Sequence, residues 1–191
     1  MLILASASPR RRDLLQQIGL TFEIETADID ETPQLAEDPT AYTKRLAEHK
    51  AAAVMARLAK QRDPARLVVL GADTTVVCEG QILGKPVDEA DAARMLRLLS
   101  GKTHQVITGV ALVTGMAAPM VEAEVTEVVV HPLTEQQIAD YIATGEPMGK
   151  AGAYAIQGRA ARFIPRIEGC YFNVVGLPLA RVSGMLGRLM R

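Results

Sequence analysis

The chain opens with a short apolar run, Leu2 to Ala5, that stops at Ser6-Ala7-Ser8-Pro9. A run of that length bounded by turn residues fits a buried strand leading into a helix. Ser8 is placed to cap that helix and Pro9 fits its first position, where a missing N–H costs nothing. Leu14, Leu15 and Ile18 supply its apolar face until Gly19. Thr21 to Glu25 alternates as a strand does, and Asp28-Ile29-Asp30-Glu31-Thr32-Pro33 has the polarity of a loop. From Pro39 to Leu58 the spacing predicts a long helix with an inner stripe of Thr43, Ala47, Lys50 or Ala51, Val54 and Leu58. Lys50 falls beside that stripe and not opposite it.

Leu67 to Leu70 is unbroken and apolar, and runs into Gly71-Ala72-Asp73-Thr74-Thr75 before Val76-Val77 continue to a turn at Glu79-Gly80. Asp73 is therefore expected in the middle of a hairpin or at a strand end. Asp88 can cap a helix through Leu99, stopped by Ser100-Gly101. His104 to Val113 and Met120 to Val130 are expected as long, paired antiparallel strands. Thr134 with Gln137 makes a capping box for a helix to about Ala143. The stretch 149–158, with three glycines and a lysine, fits neither element. Phe163 to Ile167 and Tyr171 to Val175 read as short strands, and Pro178 opens a last helix. Strands alternating with helices predict an α/β fold, and adjacent long strands argue for a mixed, elongated sheet over an all-parallel one. With no repeat and no linker, residues 1–191 are expected to form a single, bilobed domain.

Composition narrows the partners. A chain of 191 residues that is 49% hydrophobic and 23% charged can bury a core of its own. Twenty-one Lys and Arg against 22 Asp and Glu give a net charge of -1, so no global field draws it to nucleic acid or anionic lipid. Any phosphate binding has to be local. Cys78 and Cys170 lack metal or redox spacing and read as thiols in a reducing compartment. The apolar start is only a strand long and Arg10, Arg11 and Arg12 follow it, the reverse of a signal peptide. No run approaches a membrane span, and a cytoplasmic protein is expected.

Four groups could carry chemistry. In Ser6-Ala7-Ser8-Pro9-Arg10-Arg11-Arg12, hydroxyls, guanidiniums and the unpaired amides of a helix start meet in one turn. Cations in a helix's first turn oppose its dipole, so this placement favours an anion site over a solvated basic turn. Helical spacing turns Arg11 toward the sheet and Arg12 toward solvent. Asp73, beside a buried strand, suits a metal ligand or a proton acceptor, and equally a turn cap. Glu31 is by itself a loop acid, but together with Asp73 it would offer the hard oxygens that magnesium or manganese takes. Lys50 and Lys85 could reach a triphosphate; a snorkelling helix lysine and a plain turn at Leu83-Gly84-Lys85-Pro86 are the simpler readings. Gly149 to Gly158 would let a ligand or another backbone approach closely, and the Gln157 amide can match both a donor and an acceptor on a pyrimidine edge. His49, His104 and His131 show no metal spacing.

Five of these segments, in this order and spacing, resemble the Maf family: Ser6 to Arg11, Gly71 to Thr74, Leu83 to Pro86, Lys150 to Gly158, and Asn173-Val174-Val175-Gly176-Leu177-Pro178. Leu96 to Gly101 before His104-Gln105-Val106, and Gly169-Cys170-Tyr171, are similar too, so the resemblance runs from Met1 to the last helix. It implies a mixed α/β fold like that of inosine triphosphate pyrophosphatases, with helices flanking the sheet and a cleft between two lobes. It also implies hydrolysis of nucleoside triphosphates to monophosphate and pyrophosphate with a divalent cation, Mg²⁺ or Mn²⁺. By position, Asp73 matches the family's proton acceptor; Arg11, Thr74 and Gln157 match positions associated with base selection; Ser6, Arg10, Glu31, Lys50 and Lys85 match other polar site positions. The form Ala153-Tyr154-Ala155-Ile156-Gln157-Gly158 resembles the dTTP and UTP branch, with Ala155 where glycine is common there. A 7-methyl-GTP branch and a non-enzymatic role in inhibiting septum formation are the alternatives, and a homodimer is a family-level expectation. Nucleotidyl transfer fits less well, because no Gly-x-Gly turn is present.

Overall fold

Asp38 begins the longest helix by accepting hydrogen bonds from the amides of Thr40 and Ala41, each at 2.9 Å, while Pro39 takes the first helical position. The same local logic sets the other boundaries. Asp88 accepts from the Asp91 amide at 2.7 Å, and the Thr134–Gln137 capping box forms as its spacing predicts. The computed structural model describes residues 1–189. In chain order the elements are β1 (Leu2–Ala5), α1 (Pro9–Gln17), β2 (Phe22–Glu25), α2 (Pro39–Leu58), β3 (Val68–Cys78), β4 (Gln81–Leu83), α3 (Glu89–Leu99), β5 (Thr103–Thr114), β6 (Met120–Val129), α4 (Glu135–Ile142), β7 (Arg166–Glu168), α5 (Tyr171–Val175) and α6 (Leu179–Leu189). Short 3-10 turns lie at Pro64–Arg66, Ala151–Ala153 and Arg159–Phe163.

The strands form one mixed sheet in the order β2-β1-β3-β5-β6-β7, with β4 on β3. β1 pairs in parallel with both β2 and β3, whereas β3–β4 and β6–β7 are antiparallel. The expected mixed α/β architecture with flanking helices is therefore present. No helix among the described residues is long and apolar enough to cross a membrane.

Contacts divide the chain into two compact units. The first comprises Met1–Asp73, Thr108–Glu124 and the segment from Gly176; the second comprises Thr74–Ile107 and Val125–Val175. In the first, α2 lies on alternate residues of three strands: Ile3 and Ala5, Val69, and Ala111 and Val113 pack with Ala47, Ala51, Val54 and Leu58. Two strand glycines let it come that close. A Cβ on Gly71 would collide with the Ala47 carbonyl oxygen, and one on Gly109 with the Thr43 carbonyl oxygen. Each fully buried aliphatic side chain in this layer, such as Val54, contributes about 1.5–3 kcal/mol. In the second unit, α3, α4 and the 3-10 turns at Ala151–Ala153 and Arg159–Phe163 enclose a core of Met95, Leu96, Leu99, Val128, Ile138, Tyr141, Tyr154 and Phe163.

Four local expectations need correction. Ser8 makes no side-chain cap; instead its amide donates to Ser6 Oγ at 3.2 Å. Ile18 ends α1 exposed, leaving Leu14 and Leu15 as the buried face. Phe163 closes a 3-10 turn, so only Arg166–Glu168 pairs with β6. Tyr171–Val175 is a helical turn and not a strand. There the Asn173 side chain donates to the Val106 carbonyl at 2.9 Å and to Thr126 Oγ1 at 3.0 Å, and these buried bonds outweigh the β-preference of Val174 and Val175.

Candidate active site

Strand and helix periods together bring Asp73 to Lys50. On β3, residues two apart share a face, so Val69, Gly71 and Asp73 all look toward α2. On α2, Ala47 and Lys50 are neighbours one turn apart. With Gly71 seated against Ala47, Asp73 comes level with Lys50, and Lys50 Nζ donates to Asp73 Oδ1 at 2.6 Å. Asp73 thus sits within an eleven-residue strand that pairs with β4, the mid-hairpin place of the two that the sequence pattern allowed, and not at a strand end. The tight helix–sheet contact is what a continuous strand permits and a turn would not.

The same ammonium meets Glu31 Oε1 at 2.7 Å. Both Lys50 and Asp73 expose only 13% of their side chains, whereas Glu31 exposes 49%. Glu31 stands in the acidic loop, which is fastened to the first turns of α2. Tyr42 Oη donates to the Glu31 carbonyl at 2.9 Å, and Arg45 grips Glu37 through Nε and Nη2, each at 2.7 Å, while Nη2 also reaches the Thr32 carbonyl at 3.2 Å. That guanidinium holds the Glu37 carboxyl down at about 2, and burial, with Asp73 and Glu31 nearby, pushes the Tyr42 hydroxyl up to about 12.

Arg11 is turned inward and Arg12 outward, as helical spacing predicts: Arg12 pairs with its exposed neighbour Asp13. Arg11 Nε donates to the Gly176 carbonyl at 2.9 Å and Nη1 to Ser6 Oγ at 3.1 Å, joining the first motif to the last. Burial lowers the Arg11 pKa; the charges of Asp73 and Glu31 act in the opposite direction, and Arg10 adds to the lowering. Ser6, Arg11, Glu31, Lys50 and Asp73 are thereby linked in one hydrogen-bonded or electrostatic neighbourhood, to which Arg10 belongs by charge. Among the described residues, no group of three or more His, Cys, Asp or Glu is arranged to hold a metal by itself.

The remaining candidates lie in the second unit. Thr74 follows Asp73 along β3. Lys85 is exposed beside Gly84, whose carbonyl accepts from the Gly152 amide at 3.1 Å. Gln157 is exposed in the loop that follows.

A model of the family described as Maf-like protein matches residues 1–189. The chain belongs to the Maf family. Among relatives, the dTTP/UTP pyrophosphatase of Pelotomaculum thermopropionicum is 55% identical over 97% of this chain and 94% of its own length. The dTTP/UTP pyrophosphatase of Koribacter versatilis is 53% identical over 98% of this chain and 93% of its own length. Among solved structures, the Ham1 protein of Staphylococcus aureus aligns over 68% of this chain and 71% of its own at 13% identity, with a TM-score of 0.44.

Beyond the Maf motifs, the structure adds residues that sequence reasoning passed over. Tyr42 and Arg45 hold the Glu31 loop, but Arg45 and Glu37 lie on opposite sides of a helix cap, where no spacing rule links them. Gly71 and Gly109 did carry a signal, since an isolated glycine in a strand pattern marks close backbone approach.

Proposed function

We propose that this protein is a nucleoside triphosphate pyrophosphatase that hydrolyses dTTP and UTP to the monophosphate and pyrophosphate, with Asp73 as the group that takes the proton from water. The observation that carries the chemistry is the fixed carboxylate of Asp73, beside Glu31 and held by Lys50 at 2.6 Å. The nucleotides come from relatives above 50% identity that bear the name dTTP/UTP pyrophosphatase.

Two carboxylates that converge on one ammonium are a donor set that also suits a hard divalent cation. Mg²⁺ is commonly held by one or two carboxylates together with substrate phosphates. Asp73 and Glu31 would hold it, and when bound it would polarise the α-phosphoryl group and screen the triphosphate charge. The rest is the chain's own work. Arg10, Arg11, Ser6, Lys50 and Lys85 bind phosphate oxygens and stabilise the charge that develops on the leaving pyrophosphate. Arg11, Thr74 and Gln157 select the base, the Gln157 amide offering one donor and one acceptor to its edge. Asp73 orients the attacking water and accepts its proton as the α-phosphorus to bridging-oxygen bond breaks. The same reading has the enzyme acting in the cytoplasm, as a homodimer, on free nucleotides and not on nucleic acid.

Pyrophosphate release from dTTP, UTP, CTP, dATP, GTP and 7-methyl-GTP with Mg²⁺ or Mn²⁺ tests this directly. Turnover of dTTP and UTP with stoichiometric pyrophosphate supports it. Turnover of 7-methyl-GTP alone, release of orthophosphate in place of pyrophosphate, or no turnover of any nucleotide would reject it.

A further inference from the structure

The loop that carries Gln157 is held on both sides by one pair, the buried Tyr141 and the half-buried Glu146. Ahead of Gln157, the Ala155 amide donates to Tyr141 Oη at 3.2 Å. After it, the amides of Arg159 and Ala160 donate to Glu146 Oε2 and Oε1 at 3.0 and 3.5 Å. Tyr141 Oη then donates to Glu146 Oε1 at 2.8 Å, closing the bracket. Tyr141 is fully buried on α4 and its ring packs edge-on against Phe163, so the bracket rests on the core of the second unit.

The backbone around Gln157 is cut to fit this carboxylate. A Cβ on Gly158 would run into the Glu146 carboxylate, so glycine follows Gln157 because Glu146 fills the space. Burial disfavours the ionised carboxyl, yet the amide and hydroxyl donors outweigh it and hold the Glu146 pKa below its ordinary value. Lys150 Nζ, at 2.6 Å from the Glu146 carbonyl, ties the start of the loop to the same residue.

We infer that Glu146, through Tyr141 and the 155–160 backbone, is the positioning residue that sets where the Gln157 amide stands, and so a determinant of base selection that never touches the nucleotide. The inference rests on the proposed role of Gln157. A misplacement of about 1 Å in a positioned group can cost ~10²-fold, so loosening the bracket should show in selectivity more than in hydrolysis itself.

The test compares kcat and KM for dTTP and dGTP in wild type, Glu146→Gln, Glu146→Ala, Gln157→Ala and the Glu146→Gln/Gln157→Ala pair, with hydrogen exchange at the Ala155, Arg159 and Ala160 amides. Glu146→Gln keeps the shape but replaces one acceptor oxygen with a donor, so exchange at Arg159 or Ala160 should quicken while global melting stays close to wild type. The preference for dTTP should fall by roughly 10- to 100-fold, and no further once Gln157 is already alanine. Equal losses on both nucleotides, additive losses in the pair, or unchanged amide exchange would overturn the inference. A Gln157→Ala variant with intact preference would instead remove the base-selection reading beneath it, even where the exchange data still show the bracket.

Discussion

Lys50 Nζ stands 2.6 Å from Asp73 Oδ1, although the two residues are 23 positions apart and belong to different elements. The pair exists because α2 lies unusually close to β3. Gly71 on β3 allows that approach and Gly109 lets the same helix lie close on β5, and the consequences can be separated by mutation.

Gly71→Ala places a methyl against the Ala47 carbonyl, one helical turn from Lys50. Overpacking of this kind costs about 1–3 kcal/mol, and the helix must move away from Asp73. Urea denaturation should show the loss and kcat should fall with it. Gly109→Ala, which meets Thr43 two turns away, should cost similar stability with a smaller loss of rate. Wild-type stability and rate in Gly71→Ala would mean that α2 does not rest on this glycine.

Lys50→Ala leaves Glu31 and Asp73 without their shared cation. Removing one partner of a fully buried pair costs about 3–5 kcal/mol, and less is expected here because Glu31 is half exposed. If the two carboxylates can also take a divalent ion, Mg²⁺ should raise the melting temperature of Lys50→Ala more than that of wild type. An equal or smaller Mg²⁺ effect on the variant would argue against Asp73 and Glu31 as cation ligands.

His104 is buried against Tyr154, with Nε2 2.8 Å from the tyrosine oxygen, and its Nδ1 has no hydrogen-bond partner among the described residues. Burial lowers its pKa from 6.5 to about 4, so the fold holds it neutral. A folded pKa below the unfolded one means the unfolded chain binds the proton first. Stability is therefore full above about pH 6.5 and falls toward pH 4, by on the order of 3 kcal/mol from this group. Denaturation midpoints between pH 7 and 4 should flatten in His104→Phe relative to wild type. An unchanged pH slope would place the acid sensitivity elsewhere.

Much of the fold was legible in the sequence because its boundaries are local. Pro39 marks a helix start by its fixed φ, Asp88 and Thr134 with Gln137 do so through bonds within four residues, and those elements lie where the pattern puts them. The larger misreadings share one cause, contacts distant in sequence. The pattern left Asp73 between mid-hairpin and a strand end, because the Lys50 ammonium that lets a carboxylate stay within the strand is distant in sequence. Tyr171–Val175 read as a strand because its helical turn is decided by Asn173 bonds to Val106 and Thr126. The 149–158 stretch fitted neither helix nor strand because its amides go to scattered partners: Gly152 to the Gly84 carbonyl, Ala153 to that of Lys150, Ala155 to Tyr141 Oη and Gly158 to the Ala155 carbonyl. The motif residues were likewise visible as a set, whereas Tyr42, Arg45 and Glu146, which hold the loops beneath them, were not.

The proposed chemistry turns on Asp73, and its most direct measurement is pyrophosphate release from saturating dTTP and Mg²⁺ by wild type and Asp73→Asn, with circular dichroism to verify the fold. A folded Asp73→Asn should turn over ~10²- to 10⁴-fold more slowly, the range lost with a positioned acid or base. A folded variant within a few-fold of the wild-type rate would show that another group activates the water.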